Sequence, residues 1–247
     1  MAKWPVWIAA LLGAALVLSG CSIVDETPSY RYKLTVEVDT PDGIKSGFSV
    51  IEVDTHIASE NAIPTPGLLS FKVRGEAAAV DLPNGQTVFA LLRSESEIQW
   101  AAKIVPHVVL EVGGKGDERI KAQLKAIRSM KGARAIPRTW PKVAWIEERS
   151  GYPMLVTFGD LDDPTSVAEV DPDDLSSSFG EGYALKRITV QVTDEAVTTG
   201  IEKRLGWLRT AEGAISKIPM SERPPVGTPL PLHATLPETS FRIGTKR

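Results

Sequence analysis

In 247 residues there is one cysteine, Cys21, and there are three histidines, His56, His107 and His233. A single thiol cannot supply the even set that a disulfide-stapled fold needs. The body of the chain must therefore hold by burial, which is feasible because some 200 residues bury about 70% of their unfolded surface. The histidines stand far apart, with no HExxH and no close pair, and no GxSxG element presents a nucleophilic serine. An excess of positive charge is missing too. Lys and Arg number 28 against 31 Asp and Glu, a net charge of −3, which excludes a nonspecific nucleic-acid binder because that needs a strong basic field. Gly113-Gly114-Lys115-Gly116 lacks the Ser or Thr that completes a phosphate loop, and Asp117 would repel phosphate there. No internal repeat occurs, and no low-complexity tract outside a proline-rich C-terminal stretch.

What is present begins at the N-terminus. Lys3 precedes an apolar run from Trp4 to Leu18, broken only by Pro5 and Gly13, and small residues lead to Cys21. A positive start, an apolar stretch and small residues before a cut form the layout of a secretory signal. The run of 15 residues falls short of the about 20 that a spanning helix needs. Extended to Val24 it makes a marginal span, so a retained transmembrane anchor stays open as an alternative.

Leu18-Ser19-Gly20-Cys21 resembles the lipobox of bacterial lipoproteins. The resemblance covers less than a tenth of the chain. It implies cleavage before Cys21, a diacylglycerol on its sulfur, and a periplasm-facing body held to membrane lipid through that residue. Lipidation would also consume the thiol and so exclude cysteine catalysis. One acyl chain gives only marginal attachment, at about 0.8 kcal/mol per buried methylene; the two or three chains of this class suffice for stable residence. Ser22, where an aspartate would favour the inner membrane, implies a lean toward the outer one. Without residues 1–20 and their Lys3 the remaining 227 residues carry −4.

The body reads as α+β, mostly antiparallel sheet with two or three short helices; a β-sandwich or barrel-like body is the alternative. Gly and Pro together number 38, which favours many turns. Tyr30 to Asp39 alternates Leu34, Val36 and Val38 with Lys33, Thr35 and Glu37, the period of a half-buried strand. Thr40-Pro41-Asp42-Gly43 is a turn signal, and residues 47–55 make a second strand, so a hairpin with a longer loop is expected. Further strands are expected at Leu69–Gly75, Ala77–Leu82, Thr87–Arg93, Val108–Val112, Val143–Ile146, Met154–Phe158 and Leu185–Val192, while Ser96–Val105 fits helix or strand. The best helix runs from Asp117 to Lys131. Ile120, Leu124, Ile127 and Met130 form its apolar stripe, Asp117 its N-cap, and Gly132 its stop. Asp171-Pro172 reads as a helix start ending near Gly180. Thr199-Gly200-Ile201-Glu202 reads as a capping box opening a helix to Leu208. The organisation expected is signal 1–20, lipidated tether 21–29, a globular domain 30–215 that divides near 115–140 if it has two subdomains, and an extended tail 216–247. The prolines 219, 224, 225, 229, 231 and 237 bar a regular helix from that tail.

Candidate chemistry is sparse. The acids Asp160, Asp162, Asp163, Asp171, Asp173 and Asp174 are of the type that ligates Ca²⁺, but their order is not that of a calcium loop, and turns plus a helix N-terminus account for them. Arg119, Lys121, Lys125, Arg128 and Lys131 make a basic helix face that suits solvent or anionic headgroups. Trp100, Trp140, Trp145 and Trp207 suit core packing or a binding groove. Cys21 is thus the one site residue named, as the lipidation site. No catalytic, cofactor-binding or metal residue is nominated and no cofactor is expected. The expectation is a non-enzymatic binding or scaffolding lipoprotein of the cell envelope, with an envelope protein as possible partner. An envelope hydrolase with a site built from scattered residues, or a carrier of an apolar ligand, are the alternatives.

Overall fold

The computed structural model describes residues 29–57, 69–109, 116–140, 149–210, 215 and 217–244. Cys21 with the signal expected at 1–20, Gly113 to Lys115, Trp145 and the strand expected at Val143–Ile146 lie outside them. The fold is α+β, mostly antiparallel sheet. In chain order the strands and helices are β1 (Tyr30–Thr40), β2 (Gly43–Ile57), β3 (Leu69–Glu76), β4 (Ala78–Asp81), β5 (Thr87–Ala90), α1 (Trp100–Val108) and α2 (Gly116–Ser129). Then come β6 (Arg134–Ala135), β7 (Thr139–Trp140), β8 (Arg149–Ser150), β9 (Leu155–Phe158), β10 (Val167–Val170), α3 (Ser176–Phe179), β11 (Ala184–Val192), α4 (Leu232–Thr235) and β12 (Arg242–Ile243). A six-stranded sheet has the order β12-β3-β2-β1-β11-β6, a four-stranded one β10-β9-β5-β4, and β7 pairs with β8 alone.

The strict alternation of β1 decides the inner face of the large sheet. Tyr30, Tyr32, Leu34, Val36 and Val38 are buried, and their neighbours are half-covered. Because strand side chains alternate faces, the register with β2 and β11 places Ile51, Val53, Ile188 and Val190 on that same side. The β1–β2 connection is tighter than expected. Thr40 pairs with Gly43 across Pro41 and Asp42 alone, Gly43 has φ +94°, and the Thr40 hydroxyl donates to the Gly43 carbonyl at 2.6 Å. Proline presets the first turn position and glycine takes the left-handed one, so no longer loop is needed.

The small sheet is buried on both sides. Val88, Ala90, Leu92 and Leu155 face a core shared with the large sheet, α1 and α2; Phe89, Leu91, Val156 and Phe158 face a second core covered by the C-terminal part of the chain. The two sheets touch backbone to backbone where β4 crosses β2: a methyl group on Gly47 would lie 1.8 Å from the Ala79 carbonyl oxygen.

α1 resolves the ambiguous stretch as a helix, and with it Val108 is helical rather than the start of a strand. Pro106 lies inside α1 and has no N–H for the Ala102 carbonyl one turn back. The Tyr30 hydroxyl from β1 reaches that carbonyl at 3.4 Å, and Tyr32 donates to the neighbouring Ala101 carbonyl at 2.7 Å. α2 carries the expected stripe, with Leu124 and Ile127 buried, as is Met130 just past its end, and Gly132 follows at φ +69°. It begins at Gly116, so Asp117 is in its first turn rather than at its cap.

Two other helix expectations are corrected. Residues 171–174 form a turn, not a first helical turn; α3 starts at Ser176, and the Asp174 carboxylate accepts from the Ser177 N–H at 3.2 Å. The helix expected from Thr199 to Leu208 is two 3-10 turns, Ile201–Lys203 and Gly206–Arg209. The cap of the first is not local. The buried Glu76 carboxylate accepts from the N–H groups of Gly200 and Ile201 at 3.0 and 2.8 Å.

Residues 232–244, with Ile215, lie on the body, whereas 217–231 are largely exposed. Leu236 and Phe241 are fully buried. The Ile215 N–H bonds the Leu236 carbonyl, those of Leu92 and Ala77 bond Ser240 and Phe241, and β12 extends the large sheet beyond β3. One helical turn, α4, fits between Pro231 and Pro237, because a proline just before a helix forfeits no internal hydrogen bond.

Candidate functional site

The acidic residues converge on turns rather than on one another. Asp160, Asp163 and Asp171 each accept from the backbone N–H two residues on, those of Asp162, Thr165 and Asp173. The Asp163 carboxyl is held below the usual carboxylate range by the Thr165 hydroxyl and N–H. Asp173 is held low by Arg138, which clasps it through Nε and Nη2 at 2.7–2.9 Å and lies over the Tyr152 ring. Among the described residues no group of three His, Cys, Asp or Glu side chains is placed to hold a metal ion.

The histidines sit on three different elements: His56 in β2, His107 in α1, His233 in α4. His107 has the most structured surroundings. Its ring centroid is 5.8 Å from that of Trp140 on β7, and its Nε2 is 3.3 Å from an Arg149 guanidinium nitrogen on β8. Partial desolvation, then the positive charges of Arg149 and Lys103, hold its pKa below the ordinary histidine value. Neutral imidazole can accept from Arg149, and the nearby Glu97 carboxylate is engaged by Lys103 at 2.7 Å. The arrangement is a stitch between α1 and the β7–β8 pair. Arg149 is the partner that sequence reasoning missed, and its residue type gave no signal of that contact.

The tryptophans divide. Trp100 is buried and donates to the Gly151 carbonyl at 2.9 Å. Trp207 joins Phe89, Phe158 and Phe241 in the second core, where ring centroids lie 5.6–5.9 Å apart, a spacing at which aromatic pairs add about 0.5–1.5 kcal/mol each. Gly116 and Asp117 open α2, so that part of the glycine-rich stretch is helix.

What remains as a candidate surface is α2. The buried stripe turns Arg119, Lys121, Lys125, Arg128 and Lys131 outward, and all five are exposed. Arg128 donates to the Ser29 carbonyl at 3.3 Å, beside the first residue of β1. The basic face therefore stands where the chain enters the body from the side of Cys21. Elsewhere the exposed apolar side chains include Met220, Val226 and Leu230. These lie on a proline-rich loop that turns at Val226–Gly227, where Thr228 N–H bonds Pro225 O and Gly227 has φ +94°. No helix among the described residues is long and apolar enough to cross a membrane. Compared with protein families, curated proteins and solved structures, the chain matches none.

Proposed function

We propose that the chain is a lipid-anchored bacterial envelope protein, acylated on Cys21, whose periplasm-facing body binds or scaffolds another envelope protein and performs no catalysis. The address rests on the lipobox-like Leu18-Ser19-Gly20-Cys21 after an apolar leader. The observation that carries the binding role is the loop from Lys217 to Pro231. Met220 is 80% exposed and Val226 wholly so. The loop is tied at its base by the Ile215–Leu236 hydrogen bond, and its prolines limit the entropy lost when a partner orders it. Large apolar side chains held out on a stiff loop suit a protein interface.

Metabolic labelling with palmitate and membrane fractionation test the address: Cys21→Ser abolishes both label and retention, and unchanged processing and attachment would refute it. A photo-crosslinker at Val226 tests the role. A discrete adduct in intact cells that Met220→Ser with Leu230→Ser removes supports it; absence of any adduct counts against it.

A further inference from the structure

The charges of this chain are segregated. Residues 116–135 hold six basic and two acidic residues, and residues 159–174 hold seven acidic and no basic ones. The basic segment is α2, the turn after it with Lys131, and β6. The acidic one is the β9–β10 connection, β10 with Glu169, and the turn before α3. Lys121, Lys125 and Lys131 are exposed and have no carboxylate partner among the described residues. Four-residue spacing aligns Lys121, Lys125 and Ser129 on one side of the helix, with Arg128 adjacent. Arg128 in turn grips the Ser29 carbonyl. Ser22 to Ser29 span at most about 26–29 Å when fully extended, so a bilayer holding Cys21 lies within reach of this face.

We propose that α2 lies on an anionic lipid surface, its lysines against the headgroups, and fixes the orientation in which the body stands on the membrane; the proposal rests on anchoring through Cys21. Charge complementarity selects the occupant. The whole chain is net acidic and an anionic bilayer repels it, whereas a cationic face worth about fivefold per residue near the surface decides which side turns down. The buried stripe of α2 belongs to the core shared by the two sheets, while the C-terminal segment covers the opposite face of the small sheet. The proline-rich loop is rooted in that second layer through the Ile215–Leu236 hydrogen bond, and not in the layer on which α2 packs.

The test uses the full processed chain in vesicles of phosphatidylcholine alone or mixed with phosphatidylglycerol. Ser129→Cys places one probe on α2, and Thr228→Cys places one on the loop. Flotation on neutral vesicles reports the anchor, and quenching by a headgroup-bound quencher reports docking. The Ser129 probe is expected to be quenched in anionic but not neutral vesicles, with relief by salt, while the Thr228 probe stays unquenched in both. Replacing Lys121, Lys125 and Lys131 by Gln should shift the docked-to-undocked ratio on the order of a hundredfold. A chain that floats on neutral vesicles yet shows no extra Ser129 quenching in anionic ones, or a triple variant like its parent, overturns docking and leaves the anchor standing. A chain that does not float on neutral vesicles overturns the anchor. Salt-sensitive flotation on anionic vesicles that the triple variant loses then still supports the α2 face, and its absence overturns it.

Discussion

The core between the large sheet, α1 and α2 takes many of its side chains from long elements whose periodicity repeats over eight residues or more. β1 contributes every second residue and α2 every third or fourth. The core on the far face of the small sheet is assembled differently. Ala77, Phe89, Val156, Ile201, Leu205, Leu236 and Phe241 come from two-sided strands, 3-10 turns and single residues of the proline-rich tail. The first core leans on local pattern, and the second on the C-terminal segment returning to the small sheet. Two cores of one body can therefore depend on different kinds of sequence information, and they are open to different damage.

The largest effect should come from Phe241→Ala. It removes a fully buried ring that touches both Phe158 and Trp207, at about 3–5 kcal/mol. Denaturant titration measures the loss. Hydrogen exchange should show the amides of β12 and residues 236–241 exchanging first while β1 and β11 stay protected; parallel loss would mean that the two cores are one cooperative unit. Gly47→Ala strikes the contact that joins the sheets. The added methyl meets the Ala79 carbonyl oxygen, and overpacking of this kind costs about 1–3 kcal/mol or more, read as a fall in midpoint at unchanged slope. Glu76→Gln weakens the remote cap of the 3-10 turn, which is a charge-assisted pair of hydrogen bonds. The expected loss is about 1.5–3 kcal/mol, with faster proteolysis in residues 200–210.

In the first core, Tyr32→Phe keeps the ring and removes only the hydrogen bond to Ala101, at about 1 kcal/mol. A loss as large as that of Phe241→Ala would show that the phenol does more than bond the Ala101 carbonyl. The smallest effect belongs to the exposed Arg204–Asp81 pair, which ties the 3-10 segment to β4. The hydrogen bond from Arg204 holds the Asp81 carboxyl below its usual value. A depressed carboxyl stabilises the fold above its unfolded pKa and loses that contribution as pH falls through the folded one. Arg204→Ala should thus cost less than about 1 kcal/mol at neutral pH and nothing once the carboxylate is protonated, as paired titrations at the two pH values would reveal.

β1, β2, β11 and α2 were legible because alternation and the 3.6-residue period are local and each element has one wet face. β5 and β9 were legible only as apolar runs, since burial on both sides erases alternation. The Thr199–Glu202 pattern shows the limit. It has the residues of a capping box, yet Glu76, more than a hundred positions earlier, supplies the cap because β3 carries its carboxylate there. Asp171-Pro172 likewise has the residues of a helix start, but Arg138 clasps Asp173 and the helix begins at Ser176. Around His107 the partner is Arg149 on a separate strand, and neither residue forecasts the other.

By itself the amino-acid order determined an apolar N-terminal run followed by one cysteine, an antiparallel hairpin after it, and a helix with one oily and one cationic side. Each follows from sterics and hydration acting within a few residues. Only the folded chain decided that the cationic side stands at Ser29, that the proline-rich end returns to seal the small sheet, and that a glutamate in one strand caps a distant turn. Those outcomes depend on which surfaces pack together, and packing joins residues whose separation along the chain carries no local signal.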